Sequence, residues 1–224
     1  MTFSIAARCR ETGMVGVALA SSSICVASRC ANVRAGVGAA LSQNVTNPML
    51  GPLALELMAA GQNGDTLRAS LLAADPHIAW RQLVLAPLHG TPQVITGSHA
   101  LGVFSAASGR DCAAGGNLLA TPDLPQAMVD AFERSRGSLP ERLLIALQAA
   151  VAVGGEAGPI HAAGLKATLH TDWPSVDLRI DWSEGAPVAE LAALWQRYQP
   201  QMAAYVTRAV SPQDAPSYGV AGDP

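Results

Sequence analysis

The chain has 224 residues, half of them apolar and only 14% charged, with a net charge of −3. That composition supports a sizeable core and excludes a disordered chain. With Lys166 as its single lysine and its arginines scattered, it offers no basic face for nucleic acid, and the lack of an apolar run of about 18 residues excludes a transmembrane helix. The start of the chain has neither the charged nor the apolar region of a signal peptide, so a cytoplasmic protein is expected.

Residues 3–9 and 14–21 read as two strands joined through Arg10-Glu11-Thr12-Gly13, where the glycine suits a turn. Residues 24–27 read as a short third strand and 33–42 as a longer one with Gly36 and Gly38 inside it, a sign of close backbone approach. Helical spacing follows over 52–61, from Pro52 in a first turn to Gly61 as a C-cap, and over 65–73, closed by Asp75-Pro76. Strands resume at 78–86 and 93–97 around His89-Gly90, and at 111–119 with Gly115-Gly116 inside. Two helices, 122–136 and 140–153, precede strands at 161–170 and 176–180. The last helix, 187–198, carries Val188, Leu191, Leu194 and Trp195 on one face. Residues 1–210 form one domain, and 211–224, rich in Pro, Gly, Ser and Asp, read as a mobile tail. Strand hairpins with helices inserted in pairs predict an α+β fold, two mostly antiparallel sheets face to face with helices outside.

The four cysteines, Cys9, Cys25, Cys30 and Cys112, form no CxxC pair and have no histidine at ligand spacing, so no metal site is expected. Cys9 and Cys25 lie in apolar runs and read as small core residues.

The candidate chemistry starts at Thr2, directly behind Met1. If Met1 is removed, the threonine hydroxyl and a free α-amine share one residue. A hydroxyl needs an adjacent base, and an α-amine, titrating at roughly 8, can be that base. Arg34 is the candidate cation to keep this amine neutral, and Ser21 and Ser22, after the second strand, are candidates to orient it. Gln43 and Asn44 stand before the turn at Asn47-Pro48 and offer amides for a substrate carbonyl. Asn117, behind Gly115-Gly116, offers donors for an oxyanion.

Three stretches carry a resemblance: Thr2-Phe3-Ser4-Ile5-Ala6-Ala7-Arg8 with Glu11-Thr12-Gly13; Arg34-Ala35-Gly36-Val37-Gly38-Ala39 with Ser42-Gln43, Asn47-Pro48 and Gly51-Pro52; and Gly116-Asn117-Leu118-Leu119 with Val176-Asp177-Leu178-Arg179-Ile180-Asp181 near the end. Together they resemble the bacterial DUF1028 family, whose function is undetermined. The resemblance implies a four-layer αββα sandwich like that of the N-terminal nucleophile (Ntn) hydrolases. It strengthens the reading of Thr2 as nucleophile, and with the candidates above the expectation is an amide hydrolase of small molecules, with Thr2, Arg34 and Asn117 catalytic, Ser21, Ser22, Gln43, Asn44 and Gly116 binding substrate, no cofactor, no metal and a homo-oligomeric assembly. This chain departs from the family pattern at Ser22, Ile95-Thr96-Gly97, Val103-Phe104-Ser105-Ala106, Gly115-Gly116 and Pro159-Ile160-His161. Those departures fall on pocket-type positions and keep a second expectation open: a small-ligand binding protein, catalytically inactive, on the same scaffold.

Overall fold

In the computed structural model, which describes residues 1–222, the elements follow in the order β1 (Thr2–Arg8), β2 (Val15–Ser21), α1 (Val26–Cys30), β3 (Ala31–Arg34), β4 (Gly38–Asn44), α2 (Leu50–Ala59), α3 (Gly64–Ala74), β5 (Arg81–Pro87), β6 (Gln93–Thr96), β7 (Ser105–Ser108) and β8 (Cys112–Asn117). Then come α4 (Leu124–Arg134), α5 (Leu139–Ala152), β9 (Ala162–Thr168), β10 (Val176–Ile180), α6 (Pro187–Tyr198) and α7 (Met202–Val210). The strands make two antiparallel sheets, a six-stranded one in the order β10-β9-β2-β1-β8-β7 and a four-stranded one in the order β3-β4-β5-β6. The predicted α+β class and the two face-to-face sheets are what the chain adopts. Residues 223 and 224 of the expected tail lie outside the described residues.

Period-two alternation builds the layers. On β1, Phe3, Ile5 and Ala7 point to one face and join Leu124, Met128 and Phe132 of α4, Leu143 and Leu147 of α5 and Leu191 and Trp195 of α6. Ala6, on the other face, meets Leu41, Val84 and Ala86 of the second sheet. Outside that sheet, Leu83, Leu85 and Ile95 pack on Leu50, Leu55, Leu67 and Leu71 of α2 and α3. The result is helices, sheet, sheet, helices, with three apolar layers between them. Capping fixes the helix starts: Ser138 N–H and Oγ both reach Glu141 Oε2 at 2.8 Å ahead of α5.

Four local expectations change, the first being that 187–198 is not the last helix, since α7 follows it. Residues 24–27 do not form a strand: Cys25 turns left-handed (φ 53°) and starts the short helix α1. The single strand expected over 33–42 is a hairpin, because Gly36 takes φ 71° and Arg34 pairs back to Gly38. Among the cysteines, Cys30 and Cys112 are the buried ones, while Cys9 and Cys25 are half-buried. Burial, foremost, pushes the Cys112 thiol up to about 12.

Candidate functional site

Alternation on β1 sends Thr2 and Ser4 toward the second sheet, on the same face as Ala6. On β8 it sends Asn117 the same way, behind Ala113 and Gly115. The space between the sheets is apolar in its middle and polar at both ends. One end is closed by Arg8, 3% exposed, whose guanidinium bonds Asp111 and the carbonyls of Pro87, Leu88, Gly90 and Arg110. The other end holds Thr2, Ser4, Ser21, Gln43, Gln82 and Asn117, all buried and all neutral.

At that second end an amide chain crosses between the sheets. Ser4 Oγ donates to Gln43 Oε1 at 2.6 Å, and Gln43 Nε2 donates to Gln82 Oε1 at 2.8 Å and to the Gly115 carbonyl at 3.2 Å. Gln82 Nε2 then reaches Thr96 Oγ1 at 3.1 Å and the Gly116 carbonyl at 3.3 Å. Gln43 is therefore engaged within the protein rather than presented to a substrate. Asn44 turns to φ 71°, donates from Nδ2 to the Trp80 carbonyl at 2.6 Å and accepts from Leu101 N–H at 3.2 Å. It fastens the segment that connects β6 to β7. Gly116 sits opposite Phe3 and faces the helices, where a Cβ would lie 2.5 Å from Leu119 Cδ2. Its lack of a side chain serves packing.

Thr2, Ser21 and Asn117 are brought together. Thr2 stands directly across from Asn117 in the β1–β8 ladder. Its Oγ1 is 3.2 Å from Ser21 Oγ, and both hydroxyls donate to the Met1 carbonyl. Ser21 Oγ also accepts from Ser23 N–H at 3.0 Å. Asn117 is 1% exposed, yet neither Nδ2 nor Oδ1 has a hydrogen-bond partner. Buried side-chain amides are normally satisfied, and each orphaned group costs about 1–3 kcal/mol. Opposed residues of an antiparallel pair hold their Cβ atoms about 5 Å apart, so this free amide and the Thr2 hydroxyl are cross-strand neighbours on one face of the sheet.

Arg34 is not part of this group. It is exposed and pairs with Gly38, which pairs with Pro87, whose carbonyl is bonded by Arg8. That places Arg34 at the Arg8 end of β1, about 20 Å from Thr2 at strand rise. Its hairpin returns toward the wrong end of the sandwich to meet the N-terminus.

A residue that sequence reading missed completes the cluster. Glu156, 4% exposed, lies between α5 and β9 after Gly154 and Gly155, both at positive φ, and pairs as a bridge with Leu119. Its Oε1 and Oε2 accept from Ser22 N–H at 3.2 and 3.1 Å, which gives Ser22 its role. Burial, the largest influence, raises the Glu156 carboxyl from 4.5 to about 7, against the opposing pull of the N-terminal amine, the Ser22 bonds and His161. The only sequence signal was a lone glutamate in the run Gly154-Gly155-Glu156-Ala157-Gly158. Beside it, His161 is held through Nδ1 to the Ser183 carbonyl at 2.8 Å and stacks on Trp182 with ring centres 4.2 Å apart. Among the described residues no group of three His, Cys, Asp or Glu side chains is placed to hold a metal, and no helix is long and apolar enough to cross a membrane.

Residues 2–191 match the model of a family of unknown function, DUF1028. Among solved structures, the chain is similar to protein SPO2555 from Silicibacter pomeroyi, described as a DUF1028 protein, at 29% identity and a TM-score of 0.81, over 88% of this chain and 89% of that one. No curated protein matches.

Proposed function

Since the chain belongs to DUF1028, a family without an assigned activity, we propose from its own site that it is an Ntn-type hydrolase of a small-molecule amide, with Thr2 as nucleophile once Met1 is removed. The observation that carries this reading is the pairing of a buried hydroxyl with a buried, unpartnered amide: Thr2 Oγ1 on one strand, Asn117 directly across from it. Ser21, bonded to Thr2 Oγ1, positions the nucleophile.

In this reaction the Thr2 hydroxyl attacks the amide carbonyl as the α-amine takes its proton. Asn117 Nδ2 donates to the oxygen on which charge develops, the role a preorganised, dry donor performs best. The carbon–nitrogen bond breaks, the ammonium returns the proton to the leaving nitrogen, and an ester remains on Thr2. Water, losing a proton to the same amine, attacks that ester; the acid leaves and the ammonium returns the proton to Thr2 Oγ1. Every group required comes from Thr2, Ser21 and Asn117; Arg34, Gln43 and Asn44 have no part in it.

The test combines intact mass with a covalent probe. Untagged protein is expected to lack Met1 and to gain the mass of one alkyl β-lactone when treated with it. Ring opening by Thr2 Oγ1 forms an ester and leaves a β-hydroxyl on the probe. The Thr2→Ala variant should gain nothing. Retained Met1, or equal adduct on wild type and variant, would overturn the nucleophile reading. In the first of those cases the Met1 carbonyl, held by Thr2 and Ser21, would favour a ligand-binding role for the scaffold instead.

A further inference from the structure

Glu156 is a buried carboxyl that forms no ion pair with a lysine or arginine among the described residues. Ion pairs among the described residues join Arg8 and Arg10 to Asp111, Arg81 to Asp75, Arg134 to Asp130, and Lys166 and Arg179 to Asp177. None involves Glu156, whose hydrogen bonds come from Ser22 alone. The Ser22 N–H, shared by two oxygens, and the Ser22 side chain still leave part of a carboxylate's acceptor capacity unused. A buried charge in that state is costly unless an opposite charge approaches it. Two groups face it: the N-terminal amine, and the His161 ring, which is also 3.8 Å from the exposed Glu184 carboxylate. The N-terminus is the stronger influence of the two. Met1 itself packs over this loop, since a Cβ on Gly158 would lie 3.2 Å from Met1 Cε.

Removing Met1 moves the amine one residue inward, to the nitrogen of Thr2. The β1–β2 register pairs Phe3 with Ala20, so its continuation sets Thr2 against Ser21, and Ser22 is the residue that binds Glu156. We propose that Glu156 is the positioning residue of the mature N-terminus: its carboxylate pairs with the Thr2 α-ammonium, holds it beside Ser21, and keeps one proton shared between carboxyl and amine. The assignment rests on the proposed removal of Met1 and deepens it. Glu156 acts through the amine and never touches the substrate. Its charge is opposite in sign to that of Arg34, the sequence candidate for keeping the amine neutral, so it anchors the amine where Arg34 would have repelled its proton.

The experiment reads the amine directly and needs no substrate. Untagged wild type and Glu156→Gln are labelled with trace acetic anhydride from pH 5 to 9, and acetylation of the N-terminal peptide is followed by mass spectrometry. Loss of the anchoring charge should lower the midpoint by about one pH unit, making the variant amine about tenfold more reactive at pH 6.5. Glu156→Asp should restore part of the shift, and Glu11→Gln, an exposed carboxylate on the β1–β2 turn, should leave the midpoint unchanged. Midpoints equal within about 0.2 units for wild type and Glu156→Gln, with Met1 absent from both, would overturn the Glu156 assignment and leave the nucleophile reading standing. Retained Met1 in wild type would overturn both.

Discussion

Replacing Glu156 by glutamine should stabilise the protein, and only above about pH 5. The carboxyl is raised from 4.5 to about 7, principally by burial. A group whose folded value is raised contributes stability that is whole below its unfolded value and is lost as pH climbs through the folded one. Wild type should therefore weaken between pH 4.5 and 7, while the glutamine variant, still able to accept Ser22 N–H, should not. The shift, at about 1.4 kcal/mol per unit, sets an upper bound of about 3 kcal/mol on the difference at pH 8; pairing with the N-terminal ammonium would reduce it. Urea unfolding followed by tryptophan fluorescence measures this. With a slope of about 2 kcal/mol per molar, the midpoints should coincide near pH 4.5 and separate by up to about 1.5 M at pH 8. The lowered carboxyls of Asp75 and Asp111 act at more acid pH and leave this window clear. Parallel curves with a constant gap from pH 5 to 8 would refute the claim that Glu156 is buried against its charge.

Asp75 should behave in the opposite sense. Burial raises its carboxyl, but the bonds from Asn47, His77 N–H and Arg81, with the Arg81 charge, outweigh that and lower it from 3.8 to about 2. Its contribution is present above pH 3.8 and lost as pH falls toward 2. Asp75→Asn should cost about 2 kcal/mol at pH 7 and converge with wild type in acid, checked by urea midpoints at both pH values. Gly97→Ala should also destabilise, since its Cβ would lie 2.3 Å from the Ala79 carbonyl oxygen and 2.5 Å from that of Ile78. Backbone cannot move aside cheaply, so a cost of about 2 kcal/mol and a drop in Tm of about 5 °C are expected. A change within about 1 °C would show that the β6–β7 connection yields freely.

Local patterning made much of the fold legible. Residues 176–180 and 187–198 were read at their observed limits, because alternation and helical spacing were uninterrupted there. Residues 24–27 failed because a short apolar run carries no period to separate strand from helix, and Cys25 in the left-handed region settled it. β7, Ser105-Ala106-Ala107-Ser108, was invisible for want of any large apolar residue. Within the site, Thr2, Ser21 and Asn117 were legible because a tight hairpin and a neighbouring strand end set their proximity. Arg34 was misjudged because the direction of its hairpin depends on inter-sheet packing. Glu156 escaped because its partner Ser22 is 134 positions away in the chain.

The contrast between the two ends of the inter-sheet layer supports the proposed site better than any single residue does. Both ends bury polar groups, and burial without partners is costly. At the Arg8 end that cost is met fully, since the guanidinium is surrounded by the Asp111 carboxylate and four carbonyls. Such a saturated charge holds the sheets together and has nothing to offer a ligand. At the Thr2 end the glutamine chain of Ser4, Gln43, Gln82 and Thr96 is likewise engaged internally and serves as a rigid floor. Against that satisfied background, the free amide of Asn117 and the under-bonded carboxyl of Glu156 stand out. One adjoins the Thr2 hydroxyl and the other the N-terminal amine. Within the inter-sheet layer, then, the unused hydrogen-bonding capacity lies where a nucleophile and its base would share one residue.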